Sequence, residues 1–349
     1  MSDRPRTTLR LGTTGAELEH AAQLLTGGGL VALPTETVYG LAVRADDADA
    51  VRSLFAAKDR PADNPLIVHV ADVGDVLRVA REVTPLAQLL LERLAPGPIT
   101  VVLPARDDLP RAVTGGLDTV AVRIPDHPVM REVLARCALP LAAPSANRSG
   151  RPSPTRAEHV IADLDGRIDA VVDGGPTRVG VESTVIDARG ATWRVLREGG
   201  LGREAIAAAL AGTRYAASDA GSDAHDRDDA ATSPGTRHRH YAPSLPVHLA
   251  RTGGGAALAS RLAADAPGSR IGLIAPPADA RPSPPDVRVL ATPTDATTLA
   301  ADLFTLLRAA EDAGVTALVI EAVDEQGIGR AVMDRLRRAV AASGGTDAT

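Results

Sequence analysis

The sequence predicts two α/β domains in one chain, on three observations. Short apolar runs bounded by Gly and Pro alternate with stretches of helical periodicity, as strands alternate with helices. The chain has 349 residues, more than one average domain holds. Residues 212–229 are mostly Ala, Ser, Asp and Gly, a linker composition. The expected division is a first domain over 1–211, a linker over 212–244 and a second domain over 245–349.

Composition narrows the classes. A hydrophobic content of 44% with 23% charged residues is that of a soluble globular protein. The single cysteine, Cys137, leaves no intramolecular disulfide and no cysteine cluster for zinc or iron–sulfur, so a reducing compartment is expected. MSDRPRTTLR has no apolar signal core and no apolar run is long enough to span a bilayer, so the expectation is a cytoplasmic protein off the membrane. A net charge of −6 and 2% aromatics argue against stable nucleic-acid binding. A local basic pocket remains compatible with that balance, because a cleft concentrates field.

Taken in order, Thr14 to Leu25 has helical spacing, with Thr14 and Glu17 set as a capping box. Gly27-Gly28-Gly29 precedes a strand and opens no helix, so it reads as a helix end and turn. Leu30 to Leu33 is a buried strand. An extended path past Pro34 sets Thr35, Thr37 and Tyr39 on one face as a wall of hydroxyls, with Glu36 and Val38 opposite. The helix Ala48 to Ala57 leads into Lys58, the chain's one lysine. That residue is either a solvated cation at a helix end or a compact ammonium facing a phosphate, with Arg60 supplying a planar fork beside it. Pro61 and Pro65 pin an extended path into the strand LIVHV.

Helical stretches follow at Val73 to Val79 and Pro85 to Leu94, then the strands ITVVLP and TVAVRIP. Arg123 interrupts the second of these, as an ion-pair member or an anion ligand. His127 is expected at the surface. In PLAAPSANRSGRPSPT a short strand ends at Ala143, and Ser145, Asn147, Ser149 and Ser153 form a loop of small donors. The next helix begins near Thr155, with Glu158 at capping-box spacing. AVVDGGP, VGVESTVIDA and WRVLREGG are strands, Arg197 stands at a strand end, and a helix from Gly202 to Leu210 closes the domain. SPGTRHRHYAP gathers cations and Tyr241 between prolines, more than a tether needs. Beyond it, VHLA, RIGLIAP, VRVL and ALVIEAV alternate with helices at Thr297 to Ala313 and Gly329 to Ala342, and Gly253 to Gly255 reads as a turn.

Hydroxyls at 35, 37 and 39, cations at 58 and 60, Arg123 and the Ser145–Asn147 loop thus stand at strand ends of one α/β domain, where ligand clefts form. No Ser–His–Asp spacing, metal-ligand helix or Walker loop accompanies them. They describe an anion and nucleotide cleft that works by charge and positioning.

PTETVYGLA, KDRPADNPLIVHV, PSANRSGRPSPT and ESTVID, in that order, resemble the motifs of the threonylcarbamoyl-AMP synthase (YrdC-like) family. Its K-x-R and S-x-N signatures fall at Lys58, Arg60, Ser145 and Asn147. The trailing SPG…HYAP and the second domain resemble the family's longer, two-domain branch. The resemblance implies a twisted mixed sheet around a concave basic cleft, plus a smaller C-terminal open, Rossmann-like α/β domain. It implies condensation of L-threonine, bicarbonate and ATP to threonylcarbamoyl-AMP and pyrophosphate. Mg2+ would come with ATP and not on a metal site of the protein, and a tRNA threonylcarbamoyl transferase complex would act downstream. By matching motif, Thr35 or Thr37, His69, Arg123, Ala143 and Ser183 would hold threonine. Lys58, Arg60, Asn64, Thr119, Ser145, Asn147, Ser153, Arg197 and Tyr241 would hold ATP, with Lys58 and Arg60 catalytic. SPGTRHRHYAP would be a lid over a labile carbamate, although Thr236-Arg237-His238 replaces the family's Met-Lys-Tyr. An RNA-binding module of the same fold is the alternative. A carbamoyltransferase of hydrogenase maturation is excluded by the single cysteine, because that class carries Cys-rich zinc regions.

Overall fold

The computed structural model describes residues 7–216, 241, 243–279 and 285–349. Most of SPGTRHRHYAP, including Thr236, Arg237 and His238, therefore lies outside the described residues. Contacts divide the chain into two units: 1–149, 154–178 and 182–238 in the first, and 150–153, 179–181 and 239–349 in the second.

In the first unit the strands are β1 (Leu9–Leu11), β2 (Val31–Leu33), β3 (Gly40–Arg44), β4 (Ile67–His69), β5 (Ile99–Pro104), β6 (Thr119–Arg123), β7 (Leu141–Ala142), β8 (Ala170–Val172), β9 (Thr184–Asp187) and β10 (Arg194–Arg197). The helices are α1 (Gly15–Thr26), α2 (Ala48–Lys58), α3 (Pro85–Leu94), α4 (Arg111–Thr114), α5 (Pro128–Cys137), α6 (Ala157–Leu164) and α7 (Arg203–Leu210). The strands form one mixed sheet in the order β1-β8-β2-β3-β7-β4-β6-β5-β9-β10. β4 pairs parallel with β6 and antiparallel with β7, which sets His69 beside Arg123 and Leu141 beside His69.

Local signals explain most ends. Thr14 and Glu17 form the capping box of α1, and Gly28 turns with φ 84° after the Gly27 cap. Asp47 caps α2 through the amides of Asp49 and Ala50, and Asp59 stops it in the left-handed region at φ 52°. Thr84 caps α3 ahead of Pro85. Three expectations need correction. Val73–Arg78 is a 3-10 helix. Residues Thr35–Tyr39 do not continue as a strand but bend. The Thr155–Glu158 box is absent, since α6 starts after Arg156 with no side-chain cap and the Thr155 amide bonds His159 Nδ1 at 3.2 Å.

Strand alternation divides the sheet. Val68, Val101, Leu103, Val120, Val122 and Ile186 enter a large core with Leu54 and Phe55 of α2 and Leu86, Leu90 and Leu91 of α3. On the opposite face α1 and α5 pack over the β1–β7 half, through Leu18, Leu25, Val133 and Leu134. Over β4–β6–β5–β9 that face instead carries a small cluster, Ile67, Val102, Ala121 and Val185, whose members all lie on strands. The neighbours of these residues in the same alternation are His69, Thr119, Arg123, Thr100 and Ser183.

The second unit is a parallel sheet in the order β11-β14-β12-β13, from β11 (Val247–Ala250), β12 (Ile271–Ile274), β13 (Val287–Ala291) and β14 (Ala317–Glu321). Helices α8 (Gly255–Asp265), α9 (Ala296–Asp312) and α10 (Gly329–Ser343) complete it. Gly253-Gly254-Gly255 is more than the expected turn, because it opens α8. There the buried Glu321 carboxylate accepts from the amides of Gly253 (2.7 Å) and Gly255 (3.0 Å). Tyr241 belongs to this unit, buried at φ 65°, with its ring 5.3 Å from Phe304 and Arg335 5.4 Å over it.

The helix that presents Lys58 rests on the large core through Leu54, which is fully buried. Leu54→Ala should cost about 2–5 kcal/mol of stability, read from denaturant midpoints at unchanged slope.

Candidate active site

The turn after β2 is built by one hydroxyl. Thr35 Oγ1 donates to the Val38 carbonyl (2.7 Å) and accepts from the amides of Thr37 (3.1 Å) and Val38 (3.2 Å). It also meets Thr37 Oγ1 at 2.8 Å. The two threonines therefore come together through a turn and not through strand alternation. Tyr39 leaves the expected hydroxyl wall: its hydroxyl donates to the Gly175 carbonyl (2.7 Å) and accepts from the Gly174 amide (3.2 Å).

The same turn brings in Glu36, which alternation had set on the far face. Its carboxylate lies 2.8 Å from Arg123 Nη2, with both side chains buried. The contact is close but outside hydrogen-bond geometry. Both Glu36 oxygens, and Arg123 Nε and Nη2, are buried without a hydrogen bond. Beside Arg123, neither ring nitrogen of His69 has a hydrogen bond of good geometry. Burial, then the Arg123 charge, push the His69 pKa down to about 3, against a smaller opposing pull from the Ile67 and Leu141 carbonyls. His69 is therefore neutral and can accept or donate. His127, expected at the surface, is half-buried. Burial lowers its pKa while Glu36 and Asp126 pull it up.

Lys58 is not a solvated helix-end cation: it is 1% exposed. Its Nζ donates to the Ser145 carbonyl at 2.5 Å and to the Asn147 carbonyl. Burial, then the charge of Arg60, lower its pKa well below the usual lysine value, and Asp163 opposes them. The loop it holds is tied to β3 as well, through Ala146 N–H to the Tyr39 carbonyl (2.8 Å) and Leu41 N–H to the Pro144 carbonyl (2.8 Å). Within the loop Ser145 Oγ donates to Asn147 Oδ1 at 2.6 Å. Arg60 Nη2 reaches the carbonyls of Asn64 (3.4 Å) and Pro65 (3.2 Å), so the segment before β4 is folded around the guanidinium.

At the other end of the patch Ser183 Oγ meets Thr100 Oγ1 at 2.8 Å, and Arg197 Nη2 donates to the Ser183 carbonyl (2.8 Å) and hydroxyl (3.2 Å). Ala143, just past β7, donates its amide to the Ile67 carbonyl at 2.9 Å, and Thr119 opens β6. Ser153, buried, belongs with Tyr241 to the second unit. Sequence reasoning missed Glu36. Its place in the turn between two threonines was the available signal, hidden by the assumption of an extended path.

Charged and hydroxyl side chains stand around a small apolar cluster on one face of a mixed α/β sheet, an arrangement suited to holding an anion by charge and position. Residues 23–199 match the Sua5/YciO/YrdC family, described as telomere recombination, and residues 201–341 match the threonylcarbamoyl-AMP synthase C-terminal domain. The threonylcarbamoyl-AMP synthase of Bacillus subtilis is 40% identical over 336 residues, covering 95% of each chain. That of Pyrococcus abyssi is 42% identical over 325 residues, covering 91% of this chain and 92% of its own. The crystal structure of P. abyssi Sua5 complexed with L-threonine superposes with a TM-score of 0.85 at 38% identity, over 98% of this chain and 99% of that one. The chain belongs to the threonylcarbamoyl-AMP synthase family.

The neutral His69 gives the site a pH signature. Its folded-state pKa of about 3 lies below the ordinary imidazole value of 6.5, so below pH 6.5 the unfolded chain takes up a proton that the folded chain refuses. Stability should fall as pH drops from about 6.5 toward 3, and His69→Gln should make that decline shallower than in the wild type. Equal slopes in paired melts across pH 4–7 would contradict it.

Proposed function

We propose that the chain is an L-threonylcarbamoyladenylate synthase, joining L-threonine, bicarbonate and ATP into threonylcarbamoyl-AMP and pyrophosphate. The observation that carries the reading is the trio Glu36, His69 and Arg123, buried around Arg123 with hydrogen-bonding capacity unfilled. Buried polar groups are normally satisfied, so such a set calls for a polar ligand.

Threonine lies on that face in this reading. Arg123 takes its carboxylate, with His69, Ala143 and Ser183 around it. Thr37 takes the hydroxyl, because Thr35 Oγ1 already fills its one donor and two acceptor places in the turn. Lys58, Arg60, Asn64, Thr119, Ser145, Asn147 and Arg197 serve ATP. Lys58 has three donors on its ammonium and spends two on the loop carbonyls. The third faces phosphate, whose charge restores the ammonium that burial disfavours. The carbamate of threonine attacks the α-phosphate and pyrophosphate leaves, so negative charge accumulates on both sides of phosphorus and the cations offset it. Mg2+ enters with ATP as part of that substrate, its coordination filled largely by phosphate oxygens and water. The product is handed to a tRNA threonylcarbamoyl transferase complex in the cytoplasm.

Pyrophosphate release should require threonine and bicarbonate together and should fall steeply when alanine replaces threonine, since a site that bonds a hydroxyl is left unpaired without it. Equal release from ATP alone, in a coupled pyrophosphate assay, would refute the synthase reading.

Lys58→Arg keeps the charge but puts a wider, planar group at a buried position whose ammonium already holds two carbonyls. The expected result is a loss on the order of 10²–10³ in turnover, with about 1–3 kcal/mol of stability from overpacking. Turnover measured well below the variant's melting temperature separates the two effects. Wild-type turnover there would remove Lys58 from the chemistry.

A further inference from the structure

We infer that Glu36 is a further substrate-binding residue: its carboxylate takes the α-ammonium of the amino acid whose carboxylate Arg123 takes. The inference rests on the reading of threonine as a substrate. Its ground is the incompleteness of the Glu36–Arg123 pair. A buried ion pair offsets its desolvation only when further hydrogen bonds satisfy both partners. Here the charges are 2.8 Å apart and nearly out of solvent, yet the contact misses hydrogen-bond geometry. Glu36 keeps both oxygens without a donor, and Arg123 keeps Nε and Nη2 without an acceptor.

An amino-acid zwitterion supplies the missing half. Its carboxylate fits the spare guanidinium donors and its ammonium fits the spare carboxylate acceptors, so the four charges alternate in sign. The neighbours agree with this placement. Thr37 presents a hydroxyl one residue along, and His69 is neutral and adds no cation to repel the ammonium. A purely structural Glu36, holding Arg123 in place, would serve any ligand carboxylate equally and would be indifferent to the ammonium.

The test uses the full chain and a ligand pair, L-threonine and 3-hydroxybutyrate, which is threonine without the α-ammonium. Titration calorimetry should show the wild type preferring threonine by on the order of 10²-fold, because a buried charged partner is left unpaired by the analogue. In Glu36→Gln that preference should shrink below about 10-fold, the amide carrying no charge for the ammonium. Glu36→Asp should recover part of it, and ATP affinity should stay at the wild-type level in both variants. Loss of affinity for both ligands by the same factor in Glu36→Gln would make Glu36 a support for Arg123 and overturn the inference. So would equal binding of the two ligands by the wild type, a result that needs no folded variant. Wild-type protein that binds no threonine at all would instead bring down the functional reading, and this inference with it.

Discussion

The period of two along β4, β6, β5 and β9 is the constraint on which the rest depends. One set of side chains, Val68, Val122, Val101 and Ile186 among them, must go to the helix-covered core. The intervening set then has to face the other way, and there the sequence places His69, Thr119, Arg123, Thr100 and Ser183 around four apolar residues. A one-residue slip in any of these short strands would exchange the two sets, setting His69 and Arg123 into an apolar core. Fold and site are therefore not separate achievements of this chain. The apolar packing that fixes the register also aims the polar residues.

Much of this was legible in the sequence because it rests on local rules. The α1 capping box, the strand end at Leu33, the strand within LIVHV and the alternating second domain follow from spacing and turn chemistry that act over a few residues. The errors share a different cause. Thr35 Oγ1 takes over the backbone of residues 37 and 38, so a side chain overrode the extended path and carried Glu36 to Arg123. Lys58 taken alone left open a solvated or a phosphate-facing cation, because its burial is decided by a loop 87 and 89 residues away, and only its neighbours favoured the second. His127 and the Thr155 cap failed in the same way, through partners distant in sequence or a competing bond from His159.

The site also illustrates how a protein uses lysine and arginine differently in one cleft. Lys58 inserts a single ammonium between two carbonyls and closes the Ser145–Asn147 loop against α2. Arg60 and Arg197 wrap backbone carbonyls with their forked donors. Arg123 faces the carboxylate of Glu36. Three cations are thus held partly by backbone carbonyls, which fix their positions.

Glu321 has a consequence for the second domain. A glycine-rich turn entering a helix, at the carboxyl end of a parallel strand, is the usual berth for a metabolite's phosphate. In this chain the berth is occupied from within: the amides of Gly253 and Gly255 are claimed by a carboxylate supplied by the neighbouring strand. The domain carries its own permanent tenant, so the integrity of that corner does not vary with the supply of any nucleotide. A glycine signature there is therefore no sign, by itself, of a bound phosphate.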